Sequence, residues 1–518
     1  MRKYTIGTLL AVLLLVVALG AGTTGALAAG TITIAYSEGG HTLDPVMAND
    51  LTSDTVILAV YDQLVTYGTR KLPDGRVVGV TNDIRPMLAE RWTVSPDKKV
   101  YTFYLRKNVK FSNGDPVNAD AVLFTLNRIA NTPGNGSFLF QVASIDPKQV
   151  KKIDDYTVQI GLTRPNAMFL QVLAMYTFSI LDPAVVKEHG NEWLASHAVG
   201  SGPFKLVSWD PANGVILDAN KDYWQGPPKV DRVVMQVIPE SSNRVAFLKA
   251  GSVDMAVEVP PKDVRDLRAA PGVIIRSDPS VRILYFAMNC GVKPFDNPKV
   301  RQAISYAIPY KQLINDVMYG QAQQLRSPVP DGMPGYNGSA WHYSYDLKKA
   351  KKLLTEAGYP HGFTFDFTLG SGFDDWEQDA VLIQASLAQI GVKMNITRMA
   401  RPQFLQLMSQ KKLTAFISKW TSFVNDPGYH LGFLLDGKGP ANYINYDNPK
   451  VDALLAEASK ETDTASRLKL YEEAQPYIVR DAPWAFLYQY ARVVGIRKGV
   501  SGYIFYPDEL IRFYPLSK

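Results

Sequence analysis

The side chains with the widest chemical range in this 518-residue chain are its six histidines: His41, His189, His197, His342, His361 and His430. A hydrolytic metal needs ligands on one face, as in H-x-x-x-H, and no two of these stand at that spacing. The single cysteine, Cys290, excludes an internal disulfide and a Cys-rich metal site. Covalent catalysis would need a positioned Ser, and no G-x-S-x-G elbow is present; nor is there a Walker-type phosphate loop. Asp374-Asp375 pairs two carboxylates, but adjacent acids at a helix start serve as N-caps. An enzyme is therefore the weakest reading, and no cofactor or metal is expected.

Binding chemistry fits better. Aromatic side chains give large contact area, few rotamers and, in Tyr and Trp, a polar tip. The richest stretch is 420–427, where Trp420, Thr421, Ser422, Phe423, Asn425 and Asp426 are candidate contacts. Phe373 and Trp376 flank the start of a helical pattern. Tyr285 and Asn289 lie on an apolar strand, Tyr488 on another, and Asn442 and Tyr443 in a loop. Each aromatic on a strand suits the core equally well. After the first strand, Glu38, Gly39 and His41 form a loop whose glycines would let a ligand approach the backbone.

The elements that hold these residues follow from periodicity. Residues 88–128 read strand, turn, strand, loop, helix. Trp92 and Val94 alternate with polar residues before Ser95-Pro96-Asp97; Tyr101, Phe103 and Leu105 do so after it. Asn118 or Asp120 is placed to cap a helix from about Ala119 that buries Val122, Leu123 and Leu126. Strands at 31–36, 233–238, 281–289, 363–369, 392–396, 416–420 and 485–490 are interspersed with helices at 242–250, from Pro298, and at 346–358, 376–390, 449–459 and 465–481. That alternation predicts an α/β protein with crossovers on mixed sheets.

The 88–128 stretch resembles the signature of the extracytoplasmic solute-binding proteins of ABC importers, in the dipeptide-, oligopeptide- and nickel-binding family. The matching residues are Leu88-Ala89, Trp92, Tyr101-Thr102-Phe103, Leu105-Arg106, Phe111, Gly114, Pro116 and Ala119-Asp120-Ala121-Val122. Tyr61–Tyr67, Gly200–Phe204 and Gly251–Asp254 agree in the family's order. The resemblance implies a class II-type, two-lobe periplasmic-binding-protein fold with mixed sheets and a subdomain inserted in lobe I. Lobe I would comprise 29–67, 191–282 and 490–518, the insertion 68–190 and lobe II 283–489. It further implies a monomer that closes by hinge bending over a small, polar, peptide-like solute and delivers it to ABC permease subunits in the inner membrane. An oligosaccharide or opine receptor on the same scaffold, and a non-transport chaperone or signalling receptor, are the alternatives.

The resemblance also exposes two departures. Peptide binders of the family place an acid three residues after the Trp to meet the ligand's α-amine; Phe423 stands there. Dipeptide binders use an Arg in the loop after the strand matching 363–369; the loop Gly370–Trp376 has none. An unpaired, desolvated terminus costs several kcal/mol, so free di- and tripeptides are disfavoured unless Asp426 or Glu38 substitutes.

Arg2 and Lys3 precede an apolar run, Leu9–Leu19, and small residues around Ala26-Leu27-Ala28. This predicts a signal peptide over 1–28 and, with no Cys beside the cleavage site, a free periplasmic protein. Without Arg2 and Lys3 the net charge falls from +6 to +4, too mild to argue for nucleic acid.

Overall fold

The computed structural model describes residues 30–518 apart from Phe423; the leader expected over 1–28 lies outside the described residues. Strand β1 (Thr31–Tyr36) is buried at every position, as a strand with parallel neighbours on both sides should be. A hairpin, β2 (Val65–Lys71) and β3 (Val77–Pro86), leads into a four-stranded sheet. Its strands are β4 (Ala89–Val94), β5 (Val100–Leu105), β6 (Ile145–Asp154) and β7 (Thr157–Leu162), in the order β4-β5-β7-β6. Between β5 and β6 runs the expected helix, Ala119–Asn131. Asn118 caps it by accepting from the Ala121 amide at 3.2 Å, and Val122 and Leu126 are buried as predicted, Leu123 only partly.

The remaining strands join β1 in one sheet of 11: β8 (Phe204–Asp210), β9 (Gly214–Ala219), β10 (Arg232–Val237), β11 (Met255–Val257), β12 (Val273–Met288), β13 (Ala322–Gln324), β14 (Thr364–Gly370), β15 (Lys393–Met399), β16 (Ala415–Trp420) and β17 (Trp484–Arg497). The order is β15-β14-β16-β12-β17-β11-β1-β10-β9-β8, with β13 on the side of β17. Strands β12 and β17 run antiparallel through both halves. Lobe I gathers on β17 through β11 and β1; lobe II gathers on β12 through β16 and β14. Their ladder is regular from Val273↔Arg497 to Pro279↔Ala491, breaks, and resumes at Ile283↔Gln489. Strand β17 runs past the Tyr490 end read from the sequence, because Arg492 interrupts the apolar run yet is buried inside the molecule.

Each lobe has its own apolar core. In lobe I, Ile32, Ile34, Val233 and Met255 pack with Leu510, Ile511, Phe513 and Leu516 from the end of the chain. The last residue, Lys518, pairs with Asp254 at 2.9 Å. Lobe II packs Phe286, Phe367 and Trp484 with helices 298–307, 374–388 and 464–481. The inserted sheet and its helix make a further core, which takes in Val424 and Tyr429 of lobe II. The lobes touch along this rim: Phe138 and Phe433 meet edge to face at 5.8 Å, and Asn425 Nδ2 donates to Thr81 Oγ1 at 2.9 Å.

His430, in the helix Pro427–Leu434, is fully buried, and neither ring nitrogen has a hydrogen-bond partner among the described residues. Burial holds its pKa down to about 3. The unfolded chain therefore binds a proton that the folded chain refuses between pH 6.5 and about 3, and stability falls as pH drops through that window. We expect His430→Leu to flatten the urea-denaturation profile there by roughly 1 kcal/mol per pH unit. An unchanged slope would refute this account.

Candidate functional site

A cavity of about 660 Å³ lies between the lobes, within the usual range for small-molecule sites. A second space of about 540 Å³ adjoins it, sharing Glu258, Arg282, Phe373 and Arg492.

The floor is an ion-pair network on the strands common to both lobes. Arg282 Nε donates to Glu509 at 3.0 Å, and Arg492 Nε lies 4.0 Å from the same carboxylate. Ser280 also donates to Glu509, and Ser37 to Glu258. Burial alone would push both carboxyls up. The two arginines outweigh it and hold Glu258 and Glu509 below the ordinary range. Glu258 lines the cleft at φ +55°, a left-handed conformation uncommon for a side chain of its kind. These charges balance internally, so they form a platform.

The lobe I wall is acidic. Glu38 follows β1, and Asp50 caps the helix Leu51–Val60, accepting from the Ser53 amide at 2.8 Å. Asp54, one turn on, lines the cavity while only 5% exposed. Burial, reinforced by Asp50, pushes its carboxyl well above the ordinary range. Partial burial, with Asp50 and Glu258 close by, pushes Glu38 up as well.

The lobe II wall is cationic. Phe373 stacks on Trp376 at 4.1 Å. Arg401, at the start of helix 401–409, lies over the Phe373 ring at 4.7 Å, and the Lys419 ammonium of β16 approaches it at 4.8 Å. Neither cation has a carboxylate within ion-pair distance among the described residues. Arg401 Nη1 is buried without a hydrogen-bond partner among the described residues. Burial, then the neighbouring Arg282 and Arg401, pulls the Lys419 pKa down; burial does the same to Arg401. Two unpaired, partly desolvated cations on one wall can receive an anion.

The residues singled out from the sequence divide sharply. Glu38, Phe373, Thr421 and Ser422 line the cavity. Gly39 does not need ligand access: a Cβ there would meet the Pro211 carbonyl oxygen at 2.2 Å, so the close approach belongs to the protein's own backbone. His41 is exposed, and its amide donates to Ser53 Oγ at 3.0 Å. Trp420 alternates away from Lys419 and packs towards Tyr429, 5.7 Å between rings, bridging the lobe II and subdomain cores. Asp426 is no solute contact. It is 1% exposed and held bidentately by Arg467 at 2.6 and 2.9 Å, while capping helix 427–434. Asn425 is occupied by Thr81. Tyr285 stacks on Trp484 inside lobe II, and Trp376 is buried behind Phe373. Tyr488 is fully buried and donates to Asp379 at 2.7 Å. Asn289 and Asn442 spend their amides on backbone carbonyls, and Tyr443 packs against the lobe II core. Phe423 lies outside the described residues.

Sequence reasoning missed Asp50, Asp54, Arg282, Arg401, Lys419 and Arg492. The available signal was strand alternation next to Trp420, which puts Lys419 on the opposite face, and Asp50 as a helix cap.

Two α/β lobes on shared strands, with a charged cavity between them, define a solute-binding protein. The chain belongs to the bacterial extracellular solute-binding proteins, family 5, whose middle-region model matches residues 83–442. It is 32% identical over 490 residues to the probable D,D-dipeptide-binding periplasmic protein DdpA of Escherichia coli (strain K12), covering 92% of each chain. It is 34% identical over 462 residues to heme-binding protein A of Haemophilus influenzae, covering 84% of each. The solved structure of HbpA2 from Haemophilus parasuis superposes with a TM-score of 0.84 at 30% identity, covering 94% of this chain and 99% of that one. The chain is thus the substrate-binding component of an ABC transporter, in a family of binding proteins rather than enzymes. Among the described residues, no helix is long and apolar enough to cross a membrane.

Proposed function

We propose that this protein captures a small, peptide-like solute carrying an anionic group, and hands it to an inner-membrane ABC permease. The observation that carries this is the uncompensated pair Arg401 and Lys419 beside Phe373. A carboxylate there would accept charge-assisted hydrogen bonds, which are among the strongest polar contacts. After loss of residues 1–28 the protein acts free in the periplasm as a monomer. Relatives named as a probable D,D-dipeptide-binding protein and a heme-binding protein support a small solute, peptide-like in the first case, on this scaffold. A thermal-shift panel of short peptides, opines and neutral oligosaccharides tests it: anionic solutes should raise the melting midpoint, and a response to neutral sugars alone would overturn it.

The lobes are taken as 29–67, 191–282 and 490–518 for lobe I, with the insertion 68–190, and 283–489 for lobe II. Closure would bend the β12–β17 ladder where its register breaks, between Pro279 and Ile283 opposite Gln489–Ala491. Small-angle scattering should show a smaller radius of gyration on adding a solute that raises the melting midpoint. An identical curve at saturation would argue against hinge bending.

A further inference from the structure

We infer that the lobe I end of the cavity is a subsite for a cationic nitrogen, a primary ammonium or a guanidinium, held by Asp54 and Tyr36 with Asp50 and Glu38 around it. This rests on the cavity being the solute site, as proposed above, and narrows the solute to a dipolar one. Asp54 and Tyr36 both line the cavity, at 5% and 4% exposure; Tyr176 lies beside Asp54 and Thr55 beside Tyr36, but among the described residues neither Asp54 Oδ1 nor Tyr36 Oη makes a hydrogen bond of ordinary geometry. A buried acceptor left unmade is expensive unless something arrives to satisfy it.

The charges around them point to what arrives. Asp508, also on this wall, is held by Arg512 at 2.6 Å. Arg282 is bonded to Glu509; Arg492 lies 4.0 Å from the same carboxylate, and its charge also reaches Glu258 and Tyr36. What remains on this side is Asp54, Asp50 and Glu38, and no lysine or arginine pairs with any of them among the described residues. Three carboxyls facing one cavity disfavour one another's ionised forms, and burial adds to this. A cation entering there relieves both, whereas an anion is repelled. Across the cavity the unpaired groups have the opposite sign, so a solute with an ammonium at one end and a carboxylate at the other complements both walls.

Saturation-transfer NMR on the full mature protein reads each end with a single-charge probe, n-butylammonium chloride for this subsite. The wild type should bind it, and Asp54→Asn should weaken it about tenfold, the loss of one charge-assisted contact. Asp50→Asn keeps the helix cap while removing a charge. It should weaken the probe by about threefold, and so tests the subsite even where the Asp54 variant does not fold. Wild type that fails to bind butylammonium, or variants that bind it as wild type does, would overturn the subsite. Sodium butyrate, titrated separately into wild type, reports the lobe II cations alone, so failure there leaves this inference standing and removes the other.

Discussion

Replacing Arg401 and Lys419 together by glutamine is expected to lower the affinity for an anionic solute by about a hundredfold or more. Each provides a hydrogen bond from a charged donor, worth about 1.5–3 kcal/mol when made in a partly desolvated place. Calorimetry on both single variants and the double variant reads it; the double should lose more than either single. Folding should not suffer. In the protein alone these two cations sit near Arg282 without acids of their own, and burial and mutual repulsion already pull Lys419 down. Removing the charges relieves that repulsion, so the urea midpoint should hold or rise, the usual trade between a binding site and stability. Wild-type affinity in the double variant would show that the solute's charge lies elsewhere.

Asp426→Asn is expected to destabilise the fold by about 3–5 kcal/mol, because it strands a buried guanidinium. Arg467 meets both carboxylate oxygens, and its side chain is only 6% exposed. Asparagine keeps the helix cap, so the cost isolates the charge rather than the cap. Urea unfolding measures it, and a loss under 1 kcal/mol would refute the argument. Removing both partners at once, Asp426→Asn with Arg467→Met, should recover much of the loss, since an apolar replacement leaves no buried charge without its counter-ion.

The residues that betrayed the fold were those whose spacing alone carries information. Tyr101, Phe103 and Leu105 alternate on β5, and Asn118 caps its helix, whatever else the chain does. The site was less legible for a physical reason. Aromatic residues in loops and on strands look like contacts, yet Tyr285, Tyr488 and Trp376 are where lobe II needs volume, and they went to its core. Charged residues on strands look like solvated surface, yet Lys419, Arg282 and Arg492 face inward across a cleft that exists only after two lobes meet. Asp426 shows the same limit from the other side: its partner is 41 positions away on another helix, so its engagement could not be read locally.

The path of the chain through lobe I bears on how this protein is made. β1 is the first described strand, and the segment 510–518 comes last, yet they share one core, with Lys518 tied to Asp254 beside β1. β17, which carries half of the central ladder, is itself among the final residues. Lobe I therefore closes its core only when strand β17 and residues 510–516 have joined β1, whereas the core of lobe II draws on residues 281–488 alone.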